Sequence, residues 1–461
     1  MSRRRSRTIA LVVACFAVAG AAATAAATPP KPRHWKLVST VSATEPSASD
    51  APGLFRTADG TLHLAWERDS GALVYTSFSA PGDMLAPPAE LVQGWTDVGD
   101  PAFVSALGVL EIIFGGQQST NSGSPIGLFS TTRNADGTWG APSLFTQTYG
   151  VVSAVGSPDK PVMAYESQSS IAVKAGYGGN DPETLKSGYT DGSPNIATDG
   201  TRVLVAWCAF GNGAGGVYVQ EVNPENGKGI ADAQAVPGSL TTYQGTPYST
   251  CVLQTEVSRR IPFVSAGGAF YTAFTTGYPT LTGVKLAKIG GGSLTAAHKA
   301  GLSHIEPQLA ADSNGRVWVG WIEKRSRPRL VVRRSNPSVT VLGAPVRIAA
   351  PKHFDLASFE ASATPDHLDI IAQAPRAGTN SLQHTIALPG LTLIREGVRK
   401  LSNGRRLIKF RVLDAGDPVP GAKVKAQGKS ATTSASGRAK LVVTGSPRAR
   451  ATKSGYTSAR G

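Results

Sequence analysis

Few charged residues, few cysteines and no sustained helical pattern characterise this sequence. Charged residues make up 17% of the 461 residues and hydrophobic residues 41%, so the chain is neither disordered nor a membrane bundle. Outside positions 1–27, no window keeps the apolar periodicity of a helix for more than a turn or two, which excludes substantial helix. The 52 glycines and 31 prolines favour many turns instead.

Several signatures of catalytic and cofactor sites are also absent. The sequence contains no Gly-x-Ser-x-Gly motif, which argues against an α/β-hydrolase. It contains no glycine-rich loop leading into a helix, so a phosphate cradle is not expected. The seven histidines lack the spacing of metal ligands: His34, His63, His298, His304, His353, His367 and His384. We therefore expect no metal site and no cofactor. The sequence allows a structural cation but gives no indication of one.

The net charge of +15 is distributed unevenly along the chain. Residues 1–27 carry +4 and residues 391–461 carry +13, whereas residues 28–390 carry −2. Specific nucleic-acid binding by the whole protein is not expected, because it requires a basic face on the folded body. The one basic cluster of the body runs from Lys324 to Arg334 and is interpreted either as a solvated hairpin or as an anion-binding rim.

The N-terminal segment, residues 1–27, has the pattern of a secretory signal peptide. Arg3 to Arg7 precede an apolar run from Ile9 to Ala23, and an Ala-x-Ala cleavage site ends at Ala27. We expect a secreted or cell-surface protein that begins at Thr28 and has no transmembrane segment once the signal is removed. Lipoprotein processing at Cys15 stays open as the alternative.

Export would leave two cysteines, Cys208 and Cys251. Outside the cytoplasm, two remaining cysteines usually form one disulfide, so we expect these two to be bridged. The alternative is two separate buried thiols that act as small apolar side chains.

A repeat of about 50 residues runs through residues 40–375. Each copy has a short apolar strand, a turn that is often Asp-Gly or Asn-Gly, and a second strand that usually ends in an aromatic residue. The copies end at residues 66, 114, 165, 207, 271, 321 and 372. This period predicts an all-β protein with a seven-bladed β-propeller over residues 28–390. The interval that ends at Trp207 is short and the next one, which ends at Tyr271, is long, so six or eight blades are the alternatives. Residues 33–42 are expected to join the last blade and close the ring.

Two segments resemble sialidase-type propellers. Arg133 to Trp139 resembles the Asp-box, a structural turn of that family, and Leu54 to Arg68 resembles its first blade. The resemblance implies a propeller fold. In that family, an Arg-Ile-Pro before the first blade strand holds the substrate carboxylate, whereas this chain has Asp50-Ala51-Pro52 there. An Arg-Ile-Pro occurs instead in the fifth copy, at Arg260 to Pro262.

The basic tail, residues 391–461, is predicted to be a separate small β-sandwich. Arg411 to Val424 and the Ser-Gly-Arg turn at 436–438 resemble bacterial immunoglobulin-like and carboxypeptidase-regulatory-like modules, which implies a sandwich of this kind. Its excess of positive charge suits either a soluble spacer or an anchor for anionic cell-wall polymers.

Four acidic residues are the candidate binding site. Asp50, Asp100 and Glu306 stand at or just before the start of the first strand of a copy, and Glu360 lies near the matching place in the last copy. First strands line the central channel of a propeller, so these carboxylates are expected to meet at one channel mouth and hold a cation or polar ligand; the alternative is solvated loop acids.

The missing first-blade arginine favours a non-enzymatic protein that binds a glycan or protein ligand. A sialidase-type glycoside hydrolase or a polysaccharide lyase on the same scaffold stays the alternative.

Overall fold

β-Strands form all the regular structure in the part of the chain that the structure describes. The computed structural model describes residues 34–39, 51–68, 71–119, 123–148, 150–157, 160–168, 170–177, 181–186, 190–210, 216–243, 246–249, 251 and 260–461. The expected signal peptide at 1–27 lies outside these residues. Within them, no helix is long and apolar enough to cross a membrane.

Seven antiparallel four-stranded sheets follow one another along the described residues up to Ala387. The strands of the first three sheets, after the isolated β1 (Lys36–Leu37), are β2 (Gly53–Arg56), β3 (Leu62–Arg68), β4 (Ala72–Phe78), β5 (Ala89–Val92); β6 (Asp97–Ala106), β7 (Val109–Gln117), β8 (Ile126–Thr132), β9 (Ser143–Thr146); and β10 (Val152–Gly156), β11 (Pro161–Ser167), β12 (Ser170–Ala175), β13 (Glu183–Leu185).

A two-stranded hairpin separates the fourth and fifth sheets. The fourth sheet and the hairpin are β14 (Thr190–Thr198), β15 (Val203–Phe210), β16 (Gly216–Val222), β17 (Gln234–Ala235); and β18 (Leu240–Tyr243), β19 (Thr246–Ser249). The last three sheets are β20 (Phe263–Ala266), β21 (Ala269–Thr276), β22 (Gly283–Lys288), β23 (Ser293–His298); β24 (His304–Ala311), β25 (Val317–Glu323), β26 (Arg329–Arg334), β27 (Val346–Ala349); and β28 (Ser358–Ala363), β29 (Leu368–Gln373), β30 (Leu382–Ala387) with β1. The extra hairpin explains why the interval between the copies that end at Trp207 and Tyr271 is the longest of the repeat.

The ring is closed by the N-terminal strand, as the sequence predicts. β1 is the outer strand of the seventh sheet and pairs with β30, with Lys36 opposite His384. Buried apolar clusters join neighbouring sheets, and one of them contains Val38, Leu64 and Ile371, so the seventh sheet packs against the first. These repeated four-stranded sheets give the all-β, propeller-type fold that the sequence predicts.

Local sequence explains the hairpins within the sheets. Gly60 and Gly200, in the Asp-Gly turns, have φ angles of 86° and 90°, which residues with a Cβ rarely adopt. Trp66 and Trp207, at the ends of second strands, are fully buried between sheets. In the predicted Asp-box, the Asp136 carboxylate accepts hydrogen bonds from the Thr138 backbone N–H at 2.9 Å and hydroxyl at 2.6 Å, which fixes the turn.

The predicted disulfide is confirmed. Cys208 of β15 is bonded to Cys251, with their Cα atoms 5.8 Å apart. Both residues are buried in the apolar cluster between the fourth and fifth sheets, together with Phe263 and Phe274. The bond therefore ties the chain that follows the β18–β19 hairpin to the fourth sheet, and it indicates an oxidising compartment.

The C-terminal module, residues 391–461, forms two further sheets around one apolar core. The strands are β31 (Thr392–Lys400), β32 (Arg405–Asp414), β33 (Asp417–Pro418), β34 (Lys423–Ala426), β35 (Lys429–Thr432), β36 (Arg438–Thr444), β37 (Arg450–Thr452) and β38 (Ala459–Arg460). β31, β32, β33 and β36 form one sheet, and β35, β34, β37 and β38 form the other. Phe410, Val424 and Leu441 are among the residues buried between them. Membership of the immunoglobulin-like class stays a prediction.

The basic cluster of the body differs from the sequence interpretation. The turn between β25 and β26 lies within it, as expected for a hairpin, but Arg333 is half-buried and Arg334 is buried. Arg333 donates hydrogen bonds to the carbonyls of Gly343 and Ala296, both at 2.8 Å, and the side chain of Arg334 is only 5% exposed. Two arginine side chains of the hairpin therefore contribute to packing, and the sequence pattern alone does not reveal this.

Candidate functional site

A cavity of about 480 Å³ lies where the first strands of the sheets meet. Residues of β2, β6, β10, β14 and β28 line it, together with Arg260, which precedes β20. These strands approach closely because some carry glycine; a Cβ on Gly156 would collide with the carbonyl oxygen of Ser105. The cavity therefore occupies the centre of the ring, where the sequence predicts the ligand site.

Three first strands share a bulge at a residue that precedes proline. Asp100, Ser193 and Glu306 have φ angles of 49°, 54° and 49°, and the pairing register shifts at each of them. Proline has no N–H to donate to the neighbouring strand, so a break in the ladder is expected there. The proline explains why Asp100 and Glu306 stand in bulges within the strands rather than in the loops before them.

The four predicted site residues are placed differently from one another. Asp50 lies outside the described residues. Asp100 and Glu306 are buried in the bulges, with 8% and 9% of their surface exposed. Glu360 of β28 lines the central cavity, and its Oε1 accepts a hydrogen bond from Gln308 Nε2 at 3.2 Å. That all four meet at one channel mouth stays a prediction.

Arg260 is a cavity residue that the sequence analysis did not assign to the site. Its Nε donates to the Val152 carbonyl at 2.6 Å, and its Nη2 donates to the carbonyls of Asp100 at 3.0 Å and Pro101 at 2.7 Å. The side chain thus reaches from the fifth sheet to the second and third. The Arg-Ile-Pro motif was the signal that could have found it, but its position in the fifth copy gave no reason to place it at the channel.

A fixed polar network and two aromatic rings complete this cavity. Ser153 Oγ donates to Asn195 Oδ1 at 2.8 Å, and Asn195 Nδ2 donates to the Ile261 carbonyl at 2.7 Å, so the amide is held in one orientation. The rings of Phe55 and Phe103, whose centroids are 6.5 Å apart, provide apolar surface beside these groups. Such a mixture suits a ligand that has both hydroxyl groups and apolar faces.

The described lining of the central cavity contains two charged side chains. Among the described residues that line it, Glu360 is the one carboxylic acid, and Arg260 is the one cation. Most glycoside hydrolases use a pair of carboxyl groups on either side of the scissile bond. The described lining therefore supplies groups for binding a polar ligand but no such pair.

A second cavity, of about 490 Å³, lies between the second and third sheets. Glu111 of β7, Phe145 of β9 and Tyr177, just after β12, line it. The Tyr177 hydroxyl donates a hydrogen bond to the Glu111 carboxylate. Burial raises the pKa of Glu111, and a hydrogen bond from Ser130 partly offsets this effect. Sequence reasoning missed this cavity because its residues come from separate strands of two sheets.

A buried charge cluster joins the seventh sheet to the first. The Asp369 carboxylate accepts hydrogen bonds from His367 Nε2 at 2.9 Å, His384 Nε2 at 2.8 Å and Arg56 Nη2 at 2.5 Å. Although burial alone would raise the pKa of Asp369, the hydrogen bonds from His367 and His384 and their electrostatic attraction hold it well below its usual range. The cluster therefore stabilises the closure of the ring, and two of the scattered histidines have a structural role.

Comparison with known proteins gives no family for this chain. No family model matches it, and no curated protein matches it. Among solved structures, a polysaccharide lyase of family PL25, an ulvan lyase bound to -[GlcA(1-4)Rha3S]-, has 11% identity and a TM-score of 0.47 over 76% of this chain and 95% of the lyase. The NanB sialidase from Streptococcus pneumoniae has 8% identity and a TM-score of 0.42 over 77% of this chain and 70% of the sialidase.

A lectin has a comparable likeness. A mutant of the Aleuria aurantia lectin in complex with Fucalpha1-6GlcNAc has 14% identity and a TM-score of 0.38 over 82% of this chain and 99% of the lectin. At these identities and TM-scores, the likenesses concern the propeller fold and carry no argument about what this chain binds.

Proposed function

We propose that this chain is a secreted or cell-surface β-propeller that binds a glycan in its central cavity without cleaving it. The observation that supports this proposal is the lining of the cavity, where Glu360 and a fixed Asn195 amide lie beside the Phe55 and Phe103 rings. Carboxylate and amide groups bind sugar hydroxyls, and aromatic rings pack against the apolar faces of sugars. A lone described acid provides binding without the second carboxyl group that most glycoside hydrolases use.

The disulfide favours a protein that is exported from the cytoplasm. A bond between Cys208 and Cys251 persists in an oxidising compartment, and the expected signal peptide at residues 1–27 would take the chain there. In this proposal the basic module at residues 391–461 contacts anionic polymers of the cell wall, since its net charge is +13.

A sialidase-type hydrolase or a polysaccharide lyase is the second candidate, and Arg260 is the residue that favours it. An arginine beside the channel is suited to a sugar carboxylate. In this chain, however, three hydrogen bonds direct the Arg260 guanidinium to backbone carbonyl oxygens. A guanidinium used in this way stabilises the packing of the first strands, so we favour binding over catalysis.

The test compares binding and turnover in the full chain. A glycan array should show retention of a defined set of glycans, and incubation with sialosides, aryl glycosides and uronate-containing polysaccharides should give no product. Glu360→Gln should weaken binding of the retained glycans by about tenfold. The matched control is Asp232→Asn, which neutralises an exposed acid beyond the cavity lining and should bind as the parent does. Turnover that disappears in Glu360→Gln would establish the enzyme, and binding of proteins in place of glycans would establish a protein ligand.

A further inference from the structure

The cavity between the second and third sheets has the elements of a binding site of its own. It opens beside the turn between β6 and β7, where Leu107 is 74% exposed, and Tyr177, 49% exposed, stands at its other side. Exposed apolar side chains around a concave surface are typical of ligand sites rather than of solvated loops.

An aromatic corner forms one wall of this lateral cavity. The rings of Phe145 and Tyr177 meet edge to face, with centroids 5.9 Å apart. The Lys174 ammonium lies 5.0 Å from the centroid of Phe145, which holds that ring in place from another side. The half-exposed Tyr177 ring therefore has a fixed orientation and an accessible surface.

Polar groups form the floor. Glu111 is only 8% exposed, and the hydroxyls of Ser130 and Ser143 lie 3.4 Å apart beside it. The hydrogen bond from Tyr177 links this floor to the aromatic wall. Filling the cavity with a purely apolar side chain would remove water from these hydroxyls and the carboxyl group without replacing their hydrogen bonds, which is costly.

The charges within reach indicate a neutral ligand. The ionised form of Glu111 would repel an anionic sugar. The Lys160 ammonium at the edge of the cavity is bound to the Glu225 carboxylate at 2.6 Å, and the Lys174 ammonium lies over the Phe145 ring. We propose that the lateral cavity is a second binding site that takes one ring of a neutral sugar, with the Tyr177 ring against its apolar face and the Glu111 carboxyl group bound to its hydroxyls.

The site is independent of the central cavity, because none of the described residues lines both. A glycan that contacts both sites would bind more tightly than either site allows, through effective concentration alone. The inference therefore goes beyond the proposed function and does not require it to be correct.

The experiment is saturation-transfer NMR on the full chain with three probes: the methyl glycosides of glucose, galactose and fucose at millimolar concentration. We expect at least one of them to receive saturation from the protein. Tyr177→Ala should weaken that binding by about tenfold or more, because it removes the stacking surface, whereas Tyr177→Phe should keep most of it. Glu111→Gln should weaken it as well. Thermal unfolding of each variant checks that it is folded.

A control variant separates this site from the rest of the surface. Ile230→Ala removes a side chain that is 61% exposed outside the cavity and should leave probe binding unchanged, whereas Glu360→Gln reports separately on binding in the central cavity. Absence of saturation transfer to all three probes, or binding that persists in a folded Tyr177→Ala variant, would overturn the proposal. Loss of binding in Glu360→Gln alone would place the sugar in the central cavity. Binding of tripeptides that contain Leu or Phe, in place of the glycosides, would indicate a protein ligand. Either result overturns the proposal.

Discussion

The guanidinium of Arg334 and the carboxylate of Asp414 form an ion pair in which each side chain is only 5% exposed. Arg334 ends β26 of the sixth sheet, and Asp414 ends β32 of the C-terminal module. Arg334 also donates to the Pro365 carbonyl at 2.6 Å, and nearby Arg316 pairs with Asp417 at 2.6 Å. The module is therefore attached to the propeller by buried charges as well as by the chain itself.

Replacing Asp414 with alanine should destabilise the protein markedly. The change leaves Arg334 buried without its carboxylate, and loss of one partner of a buried pair costs about 3–5 kcal/mol. Denaturant unfolding followed by far-ultraviolet circular dichroism measures the change. Asp417→Ala is the matched control, because Asp417 is 44% exposed and its pair with Arg316 should contribute no more than about 1 kcal/mol. Equal effects of the two changes would contradict a dominant buried pair.

The double variant Cys208→Ala, Cys251→Ala should be less stable by about 2–4 kcal/mol, because the unfolded chain is no longer constrained by a loop of 43 residues. The same denaturant experiment measures this loss, and the reduced parent protein provides the control, since it should unfold close to the double variant. Alkylation of the unreduced, denatured parent should add no mass at these two positions. Two alkylated thiols in that sample would show that the bond does not form.

His63 should make the stability fall in mildly acidic solution. Burial, assisted by the positive charge of Arg133, lowers the pKa of His63 to about 4 from an ordinary value of 6.5. Between these values the unfolded chain binds a proton that the folded protein does not, so folding stability decreases as the pH falls from about 6.5 towards 4. The loss is on the order of 2–3 kcal/mol over that range.

Denaturant unfolding at a series of pH values measures this dependence. His63→Gln should show a smaller loss over the same range, because the variant has no imidazole to protonate. His298→Gln, a change at an exposed histidine, is the control and should keep the slope of the parent. If both variants show the parental slope, other groups are responsible for the acid sensitivity.

Local features of the structure were predictable from the sequence because they depend on neighbouring residues. The Asp199-Gly200 turn needs only a glycine with positive φ and a carboxylate that accepts the Thr201 N–H, here at 3.0 Å. The pairing of Cys208 with Cys251 followed from there being two cysteines outside the expected signal. The all-β fold followed from repeated short strands and turns, each of which is visible in a short window of sequence.

The sites were less predictable because they combine residues from distant strands. Glu111 and Tyr177 are 66 residues apart, and their hydrogen bond exists only after the second and third sheets have packed together. Arg260 illustrates the same limit, since its partners Asp100 and Val152 belong to other repeats. Charge counting also missed Arg334, whose partner Asp414 lies 80 residues away.

Like charges stand opposite one another on both sheets of the C-terminal module. Lys409 of β32 is paired in register with Lys440 of β36, and Lys425 of β34 with Arg450 of β37. Directly opposed like charges destabilise a sheet by about 0.2–1 kcal/mol per pair. Because a bound polyanion would relieve this repulsion, we expect these faces to contact anionic polymer when the protein is at a cell wall.

Replacing Lys409, Lys425 and Lys440 with glutamine should therefore have opposite effects on binding and stability. Retention of the full chain on immobilised teichoic acid should fall, and release should occur at lower salt, because screening acts on fewer charges. The stability of the variant should be unchanged or slightly higher, since the repulsion between opposed cations is removed. The matched control replaces Lys288, Lys299 and Lys352, three exposed lysines of the propeller, and should be retained as the parent is. Equal loss of retention in both variants would show that net charge alone determines binding. Retention that does not respond to about 1 M salt, where the screening length is about 3 Å, would exclude an electrostatic contact.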